Sequence, residues 1–128
     1  MICIAGTQQD NRSNLRSNLP LMKFVILGFD GPEGATTRKI YRPAHLAKLD
    51  LLHSQQRVLL AGPLTDGAGS LIVILAESLA EAEAFAKEDP YTVNRVFERI
   101  EVHPFSQVFP LENTSLDQLG SVLATLMS

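Results

Sequence analysis

The chain has 128 residues, 45% of them hydrophobic and 20% charged, with a formal net charge of -3 at pH 7. That size suits one domain with a modest core, and the balance excludes a wholly disordered or fibrous chain. The slight acidity argues against a non-specific nucleic-acid binder, no apolar run reaches membrane-span length, and a lone cysteine, Cys3, excludes an intrachain disulfide framework and a cysteine zinc site. A reducing cytoplasm is the default compartment.

Residues 1–21 read as an N-terminal extension, expected to be flexible. Met1-Ile2-Cys3-Ile4-Ala5 is apolar but too short for a signal core, and no basic residue precedes it. Gln8 to Asn14 is polar and turn-rich. Met22 stands directly before the first strong strand signal, so an alternative start at that position is an expectation. Residues 22–109 form the expected domain, and residues 110–128 a C-terminal tail.

Lys23 to Phe29 is a strand by composition, followed by a loop, Asp30-Gly31-Pro32-Glu33-Gly34. The glycines do not make G-x-G-x-x-G and no Lys-Ser/Thr follows, which argues against a nucleotide loop. A helix is predicted from Pro43, in the first helical position where its missing N–H is not needed, to Gln56. At about 100° per residue, His45 shares a side with Leu46, Leu49, Leu52, His53 and Gln56, while Lys48, Ser54 and Gln55 point away. Val58 to Leu64 and Leu71 to Leu75 are the next strands, joined by a hairpin at Asp66-Gly67-Ala68-Gly69. Ser78 caps a second helix, Leu79 to Lys87, with Glu81 completing a capping box, and Asp89-Pro90 stops it. Glu98 to Phe105 is the last strand, and Ser115 caps a short helix through Met127.

This order, βαββαβ, predicts an α+β, ferredoxin-like sandwich with two helices on one face of an antiparallel sheet. Pro63 and Pro104 fall in the second and fourth strands, the edges of such a sheet, where a missing N–H is tolerated. The central strands are apolar on both faces: Val25 and Leu27 alternate with Phe24 and Ile26, and Leu71, Val73 and Leu75 with Ile72 and Ile74. Something must therefore cover the second face. The C-terminal helix is one candidate; a second copy packed sheet to sheet is the favoured one.

Three positions stand out for chemistry. His45 is either a packed core histidine or a proton-transfer group at a pocket rim. Asp89 is either a helix stop or, with the two helices side by side, the carboxylate that orients an imidazole. Arg42, three residues before His45, borders the same space and suits a carboxylate or phenolate. Arg38 and Lys39 add to a basic stretch that either pairs with Asp30, Glu33 or Asp50 or holds an anion. His53 lies about 12 Å from His45 along the helix, too far to share a metal. His103 falls on an edge strand, Ser70 and Ser78 lack a nucleophile context, and no metal or cofactor is expected.

Four segments, Arg42-Pro43-Ala44-His45-Leu46, Leu60-Ala61-Gly62-Pro63-Leu64, Asp89-Pro90-Tyr91 and Val102-His103-Pro104-Phe105, resemble the YCII-related (YciI-like) family in the right order. The resemblance covers about residues 22–109. It implies a ferredoxin-like fold dimerising into an α/β barrel, and a His and Asp facing a pocket, which map onto His45 and Asp89. Relatives include a dehydrochlorinase acting on a chlorinated hydroxyhydroquinone. Two places depart from the family pattern: the hairpin at 66–69 is short, and Asn94-Arg95 stand where small residues and glycine are usual. Two functions follow as expectations. One is a metal-independent lyase or hydrolase on a small aromatic or carboxylate-bearing molecule, with His45 and Asp89 catalytic and Arg42 binding substrate. The other is a non-catalytic small-molecule binding or structural homodimeric module. Neither reading involves nucleic acid or a membrane.

Overall fold

The structure, a computed structural model, describes residues 20–110. The expected N-terminal extension, up to residue 19, and the expected helix from Ser115 through Met127 lie outside them. The elements are β1 (Met22–Asp30), α1 (Gly34–Ser54), β2 (Val58–Pro63), β3 (Gly69–Ala76), α2 (Leu79–Glu88), α3 (Pro90–Val93) and β4 (Phe97–Phe105). The four strands form one antiparallel sheet in the order β2-β3-β1-β4, an α+β, ferredoxin-like arrangement. Pro63 and Pro104 do sit on the two edge strands, opposite Ser70 and Phe24 respectively.

The core lies between the sheet and the helices. Phe24 and Ile26 of β1 and Ile72 and Ile74 of β3 meet Leu49 of α1 and Ala82 and Ala86 of α2. Burying each such large side chain is worth about 1.5–3 kcal/mol, and the two alanines let α2 approach the strands closely. A second cluster, Tyr91, Val96 and Phe97 with Tyr41 and Ile100 against it, fills the end of the sandwich nearest α3.

The largest departure from expectation is α1. It begins at Gly34, nine residues before Pro43, so Pro43 lies in the helix interior. There it removes the bond to the Lys39 carbonyl. The added turns have little apolar periodicity of their own; Ile40 is 64% exposed. Tertiary contacts hold them instead. Arg38 Nε donates to Asp30 Oδ2 at 2.6 Å, Thr37 Oγ1 donates to the Glu33 carbonyl at 3.1 Å, and Tyr41 packs on the second cluster. Gly34 is needed because a Cβ there would stand 2.6 Å from the Asp30 side chain.

The helix face is also rotated from the expected one. His45 and Leu49 are buried and Lys48 is half-buried, whereas Leu46, His53 and Gln56 are exposed. Lys48 was expected to point away. Its stem instead lies along the core edge, with Nζ 5.0 Å from the centre of the Phe85 ring. Ser78 caps α2 as expected, accepting the Glu81 N–H at 3.1 Å; the return arm of the box, Glu81 Oε1, takes the N–H of Glu77 at 3.0 Å.

The outer face of the sheet bears Val25, Leu27, Leu71, Val73, Leu75 and Leu60, as the strand register dictates. Among the described residues no helix lies over it. Along β4 this face turns polar: Arg99 and His103 both pair with Glu101, and Arg99 stands 4.0 Å from the Phe29 ring centre.

Candidate functional site

Three of the four motif segments converge on one cavity of about 240 Å³. Arg42, His45 and Leu46 of α1 form one wall, Ala61 to Pro63 of β2 another, and Tyr91 of α3 closes a third. The fourth segment, on β4, lies apart on the far edge strand.

Asp89 reaches this site because Pro90 forces it out of the helix. Its φ of -61° and ψ of 133° are extended, so it ends α2 and caps α3 at once. Its Oδ1 accepts the Tyr91 backbone N–H at 2.8 Å and lies 2.7 Å from His45 Nδ1. Both groups are buried, His45 6% exposed and Asp89 1%. An ionised carboxylate can only accept, so Nδ1 carries the proton and Nε2 keeps its lone pair. Nε2 has no partner among the described residues, and His45 lines the cavity. Asp89 Oδ2 is buried without a hydrogen-bond partner among the described residues. Nearby, burial pushes the Lys48 ammonium below its ordinary 10.5, while the Glu88 and Asp89 carboxylates pull it back up.

The imidazole is clamped as well as hydrogen-bonded. It stacks on the Tyr91 ring at 3.9 Å with an interplanar angle of 8°. Phe97 meets Tyr91 edge-on at 5.4 Å. Phe97 in turn fits only because residue 28 is glycine: a Cβ there would stand 2.5 Å from the ring.

The expected site residues therefore have distinct placements. His45 and Asp89 come together. Arg42 borders the same cavity; it is exposed and makes no hydrogen bond or ion pair among the described residues. His53 is exposed near the end of α1, and His103 is on the outer face of the sheet. Among the described residues no group of three or more His, Cys, Asp or Glu could hold a metal ion.

Three further side chains complete the site; the pairing of Arg38 with Asp30 was among the expectations, whereas Ser70 and Tyr91 were not picked out from the residues themselves. Arg38, taken as a surface pair or anion holder, bonds Asp30 as well as Ser70, whose Oγ lies 2.5 Å from Nη2, and stands 5.0 Å from the Tyr91 ring centre. Ser70 had no recognisable context, yet it is 3% exposed and lines the cavity. Tyr91 entered only through the resemblance. A signal for Arg38 existed: it lies seven residues, two turns, before His45. It is visible only once α1 is known to start early.

Residues 22–106 match the YCII-related domain. The chain is 41% identical over 98 residues to Protein YciI of Escherichia coli O6:H1 and to Protein YciI of Shigella flexneri, covering 69% of this chain and 100% of each relative. An uncharacterized protein of Haemophilus influenzae is 34% identical over 98 residues, with the same coverage. Among solved structures, 5-chloro-2-hydroxyhydroquinone dehydrochlorinase from Burkholderia phenoliruptrix AC1100, in complex with 2,5-dihydroxybenzoquinone, is similar at a TM-score of 0.61. It is 28% identical, and the match covers 67% of this chain and 95% of that one. With its fold, its four motif segments and these relatives in agreement, the chain belongs to the YCII-related family.

Proposed function

We propose that the cavity is the site of a metal-independent lyase or hydrolase acting on a small aromatic or carboxylate-bearing molecule, with His45 as general base and acid. The contact between His45 Nδ1 and Asp89 Oδ1, at 2.7 Å behind the cavity wall that His45 lines, carries this reading. Asp89 holds the tautomer that leaves Nε2 free to take a proton, and it stabilises the imidazolium that forms. Arg42 at the mouth attracts the anionic end of the substrate. The similar dehydrochlorinase, whose name places it on a chlorinated hydroxyhydroquinone, supports elimination as the reaction class. In such a step Nε2 takes a proton from the substrate, and the electron pair left behind expels chloride. We place this site in a cytoplasmic homodimer closed through the outer sheet face.

The test is Asp89→Asn, assayed by chloride release from 5-chloro-2-hydroxyhydroquinone. The amide removes the negative charge that stabilises the imidazolium, whichever of its ends faces Nδ1, and turnover is expected to fall by about 10²–10⁴-fold. Nitrogen-15 NMR of the His45 ring reads the tautomer directly. Undiminished turnover in the variant would end the catalytic reading. Tight binding without turnover by the wild type would leave a non-catalytic binding module.

A further inference from the structure

Ser70 lies on the central strand β3, 3% exposed, and still lines the cavity. A hydroxyl has one proton to donate and two lone pairs. Arg38 cannot accept, so at 2.5 Å from Nη2 the Ser70 oxygen is the acceptor. Its own proton is left over: Ser70 donates no hydrogen bond among the described residues. A donor enclosed without a partner costs about 1–3 kcal/mol, and this one lines the cavity, where a ligand oxygen can take its proton.

Arg38 is fixed in place. Its Nε bonds Asp30 Oδ2 at 2.6 Å, and its guanidinium carbon stands 5.0 Å and 5.8 Å from the Tyr91 and Phe97 ring centres. A charged donor on the serine oxygen polarises the O–H and makes it a stronger donor. Ser70 as a nucleophile is disfavoured, because it shares no hydrogen bond with His45 and so has no base to activate it.

We infer that the Ser70 hydroxyl, oriented by Arg38, is the oxygen-binding point of the cavity. It donates to a phenolate, enolate or carbonyl oxygen of the ligand, and the Arg38 charge stabilises negative charge there. This rests on the proposed role of His45. The proton leaves to Nε2, the electron pair it leaves behind spreads to the conjugated oxygen, and Ser70 receives that oxygen. The cavity, about 240 Å³, falls below the usual range for drug-sized ligands. The ligand class is therefore a single small ring, or its open-chain equal, bearing an ionisable or enolisable oxygen across from an acidic proton.

The probe is 2,5-dihydroxybenzoquinone, a planar, acidic, coloured ring. Its affinity is measured by calorimetry for the wild type, Ser70→Ala, Ser70→Thr and His45→Asn, with circular dichroism checking each fold. Ser70→Ala is expected to weaken binding about ten-fold or more, and Ser70→Thr, which keeps the hydroxyl, to stay within about three-fold of wild type. The visible band of the bound quinone should shift in the wild type and in Ser70→Thr but not in Ser70→Ala. If Ser70→Ala binds as the wild type does while His45→Asn binds weakly, the oxygen-binding role is overturned and the His45 reading stands. If only Ser70→Ala weakens binding, the oxygen site stands and the His45 reading loses its support. If the wild type fails to bind at about millimolar probe, both are overturned.

Discussion

Tyr91 does three things at once. Its backbone N–H bonds Asp89, its ring stacks on His45, and its hydroxyl reaches the Arg38 carbonyl at 3.4 Å. The ring is 1% exposed, so the stack and the burial outweigh the long hydroxyl contact. Tyr91→Ala is expected to cost about 3–5 kcal/mol in denaturant unfolding, and Tyr91→Phe less than about 1 kcal/mol. A Phe variant as damaged as the Ala variant would mean that the hydroxyl, not the ring, matters. Away from the site, Glu101 sets an acid limb. Hydrogen bonds from His103 and then Arg99 hold its carboxyl below the ordinary 4.5. A depressed carboxyl adds stability above its unfolded value and loses it as pH falls through the folded one. Glu101→Gln should therefore lower stability slightly at neutral pH, converge with the wild type as pH falls below about 4.5, and so flatten this part of the acid limb, a small and salt-sensitive effect on an open face.

Among the elements, β1 decides how the site is supported. Gly28 lets the Phe97 ring of β4 cross the strand, and that ring backs Tyr91, which backs His45. Gly28→Ala forces the ring aside. It should cost about 1–3 kcal/mol and also broaden or shift the His45 ring signals in NMR. Stability lost without any change at His45 would break this chain of support. The helices divide the labour differently. α2 is locally specified, since Ser78 caps it and Asp89-Pro90 ends it. α1 is specified locally only over its second half. Its first third, Gly-Ala-Thr-Thr-Arg-Lys-Ile, mixes Ala, Arg and Lys with the weaker formers Gly, Thr and Ile and has no apolar stripe, and its ordering depends on Asp30 and the Tyr91 cluster.

For the molecule as a whole, the outer sheet face matters most. Leu60 is 55% exposed and Phe105 48%, with Val25, Leu27 and Leu71 partly exposed between them. Water contact over such an apolar patch is unfavourable at about 25 cal/mol per Å². Sedimentation equilibrium is expected to report twice the chain mass for the wild type. Leu60→Glu, which places a charge on the face of the sheet opposite the helices, is expected to return one chain mass with the His45 tautomer unchanged. A wild type that sediments as a single chain would refute closure through this face.

Much of this was legible beforehand. The strand order, the edge positions of Pro63 and Pro104, the cap at Ser78 and the stop at Asp89 are short-range signals, readable from periodicity and from the stereochemistry of proline. His45 and Asp89 could be named, but only as alternatives to packing and capping. Tertiary structure alone decided the early start of α1, the inward turn of Lys48, and the meeting of Arg38 with Ser70 and of His45 with Asp89. Those partners are 32 and 44 residues apart in the chain. No local period encodes such a pairing: it exists only when β1 and β3 lie side by side and α1 and α3 close over them, so that long-range packing sets which polar groups share a cavity.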